Sequence, residues 1–139
     1  MPTRPTQCLL FTLDMASGVP VYRQIIDQIT AGIAAGAVGP GYQLPTVRQL
    51  AVDLSVNPNT VVRAYRELEI RGILETQQGT GTFISKQKIK RDDAQRQKRL
   101  SQFTGEIVAR AGREGFTVTE LIAQLHEYAA DAGQRGKHS

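Results

Sequence analysis

Residues 57–72, NPNTVVRAYRELEIRG, carry amide, hydroxyl and guanidinium side chains on the opening turns of a predicted helix. Asn57 followed by Pro58 is the preferred arrangement for a helix N-cap and its first helical residue. Helical spacing gives one apolar face, made of Val61, Ala64, Tyr65 and Leu68. The polar residues turned outward are Asn59, Thr60, Arg63 and Arg66. Because asparagine pairs with adenine and arginine with guanine in a major groove, these side chains are suited to reading base edges.

A purely structural interpretation of the same helix stays open. Asn57 would be a cap, Thr60 a second cap acceptor, and both arginines part of a solvated face. Arg48 favours the binding interpretation, because it lies on the first turn of the preceding predicted helix, away from that helix's apolar residues. A helix that crosses a nucleic-acid backbone would place such an arginine near a phosphate.

The stretch QQGTGT, residues 77–82, lies between two β-prone runs, ILETQ and TGTFIS. A P-loop would need a following Lys-Ser/Thr pair and a helix, so a nucleotide site is not expected here. Glycines in such a turn let the backbone come close to a duplex at its minor groove. The candidate contacts are Gln77, Gly79, Thr80 and Gly81, and a plain hairpin turn is the alternative.

Three helices and this hairpin must position the candidate residues. LLFTLD, near the start, is expected to be a short strand or an extended arm. The stretch SGVPVYRQIIDQITAGIAAGAV is predicted to be the first helix, because Val21, Ile25, Ile29 and Ile33 recur at a spacing of four. Pro20 suits its first turn, and it is expected to end near Gly36. Thr46 and Gln49 form a capping box for the second helix, and Gly72 ends the third. This order of elements predicts a winged helix-turn-helix.

The composition argues against several functional classes. The 139 residues include one cysteine, Cys8, and two histidines, so we expect neither a disulfide nor a metal site. No nucleophile–base pair or paired carboxylates indicate an enzyme, and no cofactor is expected. No apolar stretch reaches the length of a membrane span, and a single cysteine fits a cytoplasmic protein.

The distribution of charge gives no support to the first half of the chain as a nucleic-acid binder. Residues 1–85 carry equal numbers of basic and acidic groups, and the net charge of +4 comes from residues 86–139. A role in nucleic-acid binding must therefore depend on motif and geometry.

The second half of the chain contains two amphipathic helices. Their apolar stripes contain Leu100, Phe103, Ile107, Leu121, Ile122, Leu125 and Tyr128. Two such helices cannot enclose a sizeable ligand pocket alone, so the stripes must meet each other, the winged domain or a second copy. The predicted segments are a disordered N-terminus at 1–8, a winged domain at 9–85, a basic connector at 86–99, a helical segment at 100–132 and a disordered tail at 133–139.

The segments LPTVRQLA, VNPNTVVRAYRELEIRG and GTGTFI, in this order, resemble the DNA-binding domain of GntR-type bacterial transcription regulators. SGVPVYRQIIDQI and VNPNT are most similar to the YtrA-like subfamily. The resemblance implies a homodimeric regulator, usually a repressor, on an inverted-repeat operator, with helix 57–72 in the major groove and wing 77–82 at the minor groove. The DNA contacts that it implies are Arg48, Asn57, Asn59, Thr60, Arg63, Gly79, Thr80 and Gly81.

The resemblance also implies a fold class. The chain is expected to be mainly α with a small β-hairpin, an N-terminal winged helix-turn-helix followed by a two-helix C-terminal segment for dimerisation through the seven apolar residues named above. A small effector of unknown identity stays open. Pro58 and Val62 stand where many relatives carry arginines, and Arg63 substitutes in part. A protein-interaction or RNA-binding adaptor is the competing interpretation.

Overall fold

The computed structural model of the chain describes residues 8–86 and 93–137. It contains five helices and one antiparallel hairpin in this part, which confirms the predicted fold class. The elements are α1 (Val21–Ala34), α2 (Val47–Leu54), α3 (Pro58–Ile70), β1 (Leu74–Gln77), β2 (Gly81–Ile84), α4 (Asp93–Glu114) and α5 (Val118–Lys137). The chain divides into two compact units, of which the first holds α1 to β2 and the second holds α4 and most of α5.

The core of the first unit lies between α1, α2, α3 and β1. Its most deeply buried side chains are Ile25, Ile29, Leu50, Val61 and Leu68. The predicted apolar face of α3 is confirmed, because all four of its residues are buried. The hydroxyl of Tyr65 donates a hydrogen bond of 2.7 Å to the carbonyl oxygen of Pro45, and burial raises the pKa of this tyrosine. This contact ties α3 to the segment that leads into α2.

The predicted ends of the second and third helices are also confirmed. Thr46 accepts a hydrogen bond from the backbone of Gln49, whose side chain accepts one from the backbone of Thr46. Asn57 caps α3, with Pro58 as its first residue. Gly72, in the left-handed region at φ +77°, follows the end of α3 and closes it with a hydrogen bond to Glu69.

The segment before α1 is an extended arm rather than a strand, which decides between the two predicted alternatives. Gln28 binds both the backbone N–H and the carbonyl of Thr12, and Gln24 does the same for Asp14. Leu9 and Phe11 pack against the core. Two glutamine side chains of α1 therefore supply the partners that a neighbouring strand would have supplied.

The segment before α2 pairs with β2 of the hairpin, which the sequence did not predict. β1 pairs with β2 so that Gln77 lies opposite Gly81, which leaves a loop of residues 78–80. Gln43, in the segment before α2, forms a β-bridge with Phe83. Beside it, the backbone N–H of Leu44 donates a hydrogen bond of 2.9 Å to the carbonyl of Thr82, and the N–H of Ile84 donates one of 2.9 Å to the carbonyl of Tyr42. The wing is thereby attached to the entrance of α2.

In the second unit both helices are longer than predicted. α4 begins at Asp93, so the later part of the proposed connector 86–99 is helical, while residues 87–92 lie outside the described part. Gly115, at φ +88°, separates α4 from α5, and Thr117 caps α5 in a capping box with Glu120. The backbone of α5 continues to Lys137, past Gly133, where the predicted disordered tail begins. Of the predicted disordered N-terminus, residues 1–7 lie outside the described residues.

Candidate nucleic-acid interface

The first turn of α3 presents the predicted polar side chains to solvent. Asn57 and Asn59 are exposed, and Thr60 is half-buried. The side-chain oxygen of Asn57 accepts a hydrogen bond of 2.8 Å from the backbone N–H of Asn59, so its capping role is present. That bond leaves the NH₂ group of Asn57 and the whole side-chain amide of Asn59 without a protein partner among the described residues. Both amides can therefore meet an outside ligand.

Two arginines extend this polar surface along α3. Arg66 is exposed, and no ion pair of the described residues includes it. Arg63 is exposed as well, but its guanidinium carbon lies 3.8 Å from the centroid of the Tyr22 ring on α1. Together with Asn59 they line an open groove of about 460 Å³, which also contains Val62, Glu67 and Ile70.

Arg48 lies on the first turn of α2, as predicted, and is exposed. The ion pairs among the described residues are Arg23–Asp27, at 3.5 Å, and Arg110–Glu114, at 3.7 Å, so Arg48 belongs to neither. An arginine with no intramolecular carboxylate partner can form charge-assisted hydrogen bonds with an external anion such as a phosphate.

The wing shows different roles for its two glycines. Gly79 has φ +77° and open space around the position of a side chain. A side chain on Gly81 would instead strike the amide of Gln43, which donates a hydrogen bond of 3.0 Å to the carbonyl of Thr80. Gln77 and Thr80 are exposed. The plain structural interpretation therefore explains Gly81, whereas Gly79 leaves the tip open for approach to a ligand.

Sequence reasoning missed two residues near this surface, Tyr22 and Gln43. Tyr22 lies on the first turn of α1, and its ring lies under the guanidinium group of Arg63. Gln43 holds the tip of the wing from the segment before α2. Neither belongs to a local pattern, because each contact joins residues far apart in the chain.

The second unit leaves its apolar stripes uncovered. Leu125 is 63% exposed and Phe103 60%, and of the described side chains in α4 and α5 only Ala111 is buried. Leu121 is half-buried, and the other predicted stripe residues are exposed, namely Leu100, Ile107, Ile122 and Tyr128. Among the described residues, no Cα atom of α4 lies within 8 Å of a Cα atom of α5.

Other kinds of site find no support in the described part of the chain. No group of three or more histidine, cysteine, aspartate or glutamate side chains could hold a metal ion there. Among the described helices, none is long and apolar enough to cross a membrane.

Known proteins match the part of the chain that carries the interface. The model of a family described as bacterial regulatory proteins, gntR family, matches residues 21–84. A solved GntR family transcriptional regulator from Listeria monocytogenes is 32% identical over 81% of this chain and 98% of its own, with a TM-score of 0.57. The chain belongs to the GntR family. The matched range runs from α1 to β2 and so includes every candidate residue of the DNA surface.

Two further proteins are similar to this chain, one over about half of its length and the other over most of it. The HTH-type transcriptional repressor YtrA of Bacillus subtilis is 47% identical over 55% of this chain, which spans 58% of that protein. A solved structure described as a transcriptional antiterminator from Listeria monocytogenes is 29% identical, with a TM-score of 0.67 over 91% of this chain and 94% of its own. The likeness to YtrA agrees with the subfamily predicted from the sequence. Each of these relatives is named for a role in transcription, as expected for a chain that is not an enzyme.

Proposed function

We propose that this GntR-family chain is a sequence-specific DNA-binding regulator that represses transcription as a homodimer on an inverted-repeat operator. α3 lies in the major groove, and the wing, residues 77–82, lies at the minor groove. The observation that carries the proposal is the exposed first turn of α3. There the amide of Asn59 has no partner among the described residues, on a helix whose opposite face is fixed in the core. Such a regulator acts in the cytoplasm, where the bacterial chromosome lies.

The contacts divide into base reading and positioning. Asn59, the free NH₂ group of Asn57 and the hydroxyl of Thr60 face the base edges, because they lie at the exposed tip of α3. Arg48 and Arg66 neutralise phosphates on either side, which fixes orientation and register without reading sequence. The open backbone of Gly79 lets the wing approach the minor groove.

A second copy of the chain supplies the DNA affinity that a single, uncharged winged domain lacks. Residues 1–85 carry no net charge, so a single unit gains little from general attraction to DNA. The uncovered stripes of α4 and α5 bury their apolar surface against the same stripes of a partner. Two linked units then bind two half-sites with an effective concentration that neither has alone. A small effector, where one exists, would bind at this interface, because two helices alone are too few to enclose a sizeable pocket.

Selection from a pool of DNA duplexes with a randomised centre tests the proposed function. The intact protein should enrich duplexes that contain an inverted repeat, and its affinity for them should fall steeply as salt rises. An unrelated duplex should bind far more weakly at the same salt. Failure to enrich any duplex would contradict the proposal.

RNA is the second candidate ligand, because the same exposed amide and guanidinium groups can also hydrogen-bond to unpaired bases and phosphates of an RNA. A parallel selection from randomised RNA hairpins separates the two. Enrichment of RNA without enrichment of duplex DNA would replace the first proposal with this one. The exposed first turn of α3 favours DNA, because the major groove of B-DNA admits an α-helix, whereas the major groove of an RNA helix is too deep and narrow for side chains to read.

Replacement of Gly79 by valine should weaken operator binding more than its effect on folding explains. A side chain at φ +77° costs about 1–2 kcal/mol of stability and also fills the open tip of the wing. Gly36 is the matched control, since it has φ +79° and open space but lies at the end of α1. Thermal unfolding should show similar losses for Gly79→Val and Gly36→Val, while titration of the selected duplex should show weaker binding only for Gly79→Val. Equal affinities of the two variants for the duplex would show that the turn at Gly79 has only a structural role.

A further inference from the structure

Arg63 is held at the side of α3 by an aromatic ring of another helix. Its guanidinium carbon lies 3.8 Å from the centroid of Tyr22, a distance at which a cation and a ring face attract each other. Tyr22 lies on the first turn of α1 and packs against the core, so the ring is a fixed platform. The stack draws the head group of Arg63 away from the tip of α3 and toward α1.

This position changes which part of a duplex Arg63 meets. A helix with its side chains is about 10–12 Å across, and the major groove is about 12 Å wide, so a helix fills the groove. Side chains at the tip of the helix then face the base edges. A head group drawn to the flank faces the groove wall instead, and that wall is the sugar–phosphate backbone.

The stack also leaves the right atoms of Arg63 free. Tyr22 meets the guanidinium group at its central carbon, whereas the N–H donors lie in the plane of that group and point outward from its edge. A phosphate can accept two parallel hydrogen bonds from that edge while the ring stays in place. Because the platform has already restricted a long side chain, less rotamer entropy is lost when the phosphate binds.

We propose that Arg63 is a phosphate contact rather than a base reader, and that Tyr22 is the residue that positions it. This inference rests on the proposed function and assigns Tyr22 a part in DNA binding. It separates Arg63 from Asn59, whose amide lies at the tip of the helix and keeps the base-reading role.

A double-mutant cycle on the intact protein tests the pair. The probes are a duplex selected by the parent protein and a random-sequence duplex, each titrated over a range of salt. Arg63→Ala should weaken binding to both duplexes by a similar factor and reduce the salt slope by about one. Tyr22→Leu should weaken binding by about 2- to 5-fold when Arg63 is present, and should have no effect in the Arg63→Ala background. Tyr22→Phe keeps the ring and should bind as the parent does.

Controls separate this inference from general effects. Arg71→Ala removes the same charge from the far end of α3, where the residue is exposed, and should change the slope less than Arg63→Ala. Thermal unfolding of Tyr22→Leu shows whether α1 stays folded. An equal loss from Tyr22→Leu with and without Arg63, or a loss from Arg63→Ala confined to the selected duplex, would overturn the inference and leave the proposed function intact. A parent protein that binds neither duplex would overturn both.

Discussion

Ile122→Glu together with Leu125→Glu should make the protein monomeric and should weaken its binding to a full inverted repeat roughly 10²–10⁴-fold relative to the parent protein. Ile122 and Leu125 are 49% and 63% exposed, so the charges do not disturb a core within one copy. Between two copies, however, burial of four like charges would be prohibitive. The monomer therefore loses the linkage between half-sites. Light scattering gives the oligomeric state, and titration of full and half operators gives the affinities.

The same helix provides a matched control for charge. Thr119 and Ala123 are exposed on the face of α5 away from the stripe, so Thr119→Glu with Ala123→Glu adds equal charge without touching the proposed interface. This control should stay dimeric and bind as the parent does. A chain ended after Ser85 keeps the core of the first unit and should behave like the charged monomer. A charged variant that remains a dimer, or a monomer with parental affinity for the full operator, would show that the stripes have another role.

Replacement of Asn59 by alanine should cost about 1–3 kcal/mol of binding to the selected operator and little of binding to unrelated DNA. The amide lies at the exposed tip of α3 and makes no hydrogen bond there among the described residues, so its removal leaves the fold unchanged. The measurement is the ratio of affinities for the two duplexes at one salt concentration. Loss of that ratio is the signature of a lost base contact.

A comparison of Asn57→Ala with Asn59→Ala separates base reading from helix stability on the same turn. Its side-chain oxygen caps α3, so Asn57→Ala should lower the free energy of unfolding by about 0.5–2 kcal/mol, whereas Asn59→Ala should not. If Asn59→Ala binds the operator as tightly as the parent, or loses both duplexes equally, base reading must be assigned to other residues. If it unfolds more easily than Asn57→Ala, its role is structural.

Local patterns explain why much of the site could be predicted. The rotation of α3 follows from the spacing of Val61, Ala64, Tyr65 and Leu68, and its start follows from Asn57 and Pro58. These are interactions within one or two turns of chain, which the order of residues determines directly. The exposed tip with Asn59 was therefore accessible from the sequence.

Contacts across long stretches of chain could not be predicted in the same way. Gln43 reaches Thr80 across 37 positions, and Tyr22 reaches Arg63 from another helix. No periodicity connects such pairs, so the sequence indicated neither the ring contact of Arg63 nor the attachment of the wing to the segment before α2. The extended arm is a similar case, because the side chain of Gln28 provides the backbone partners of Thr12 that a strand would have needed.

Methylation protection of the selected operator tests the central claim most directly. Dimethyl sulfate modifies guanine N7 in the major groove and adenine N3 in the minor groove, so one reaction reports on α3 and on the wing separately. The intact dimer should protect guanine N7 in two patches, one per half-site on the same side of the duplex, with protected adenine N3 beside them. Asn59→Ala should weaken the protection of guanine N7, and Gly79→Val should weaken the protection of adenine N3. Unprotected N7 positions in an operator that the protein occupies fully would contradict the placement of α3 in the major groove.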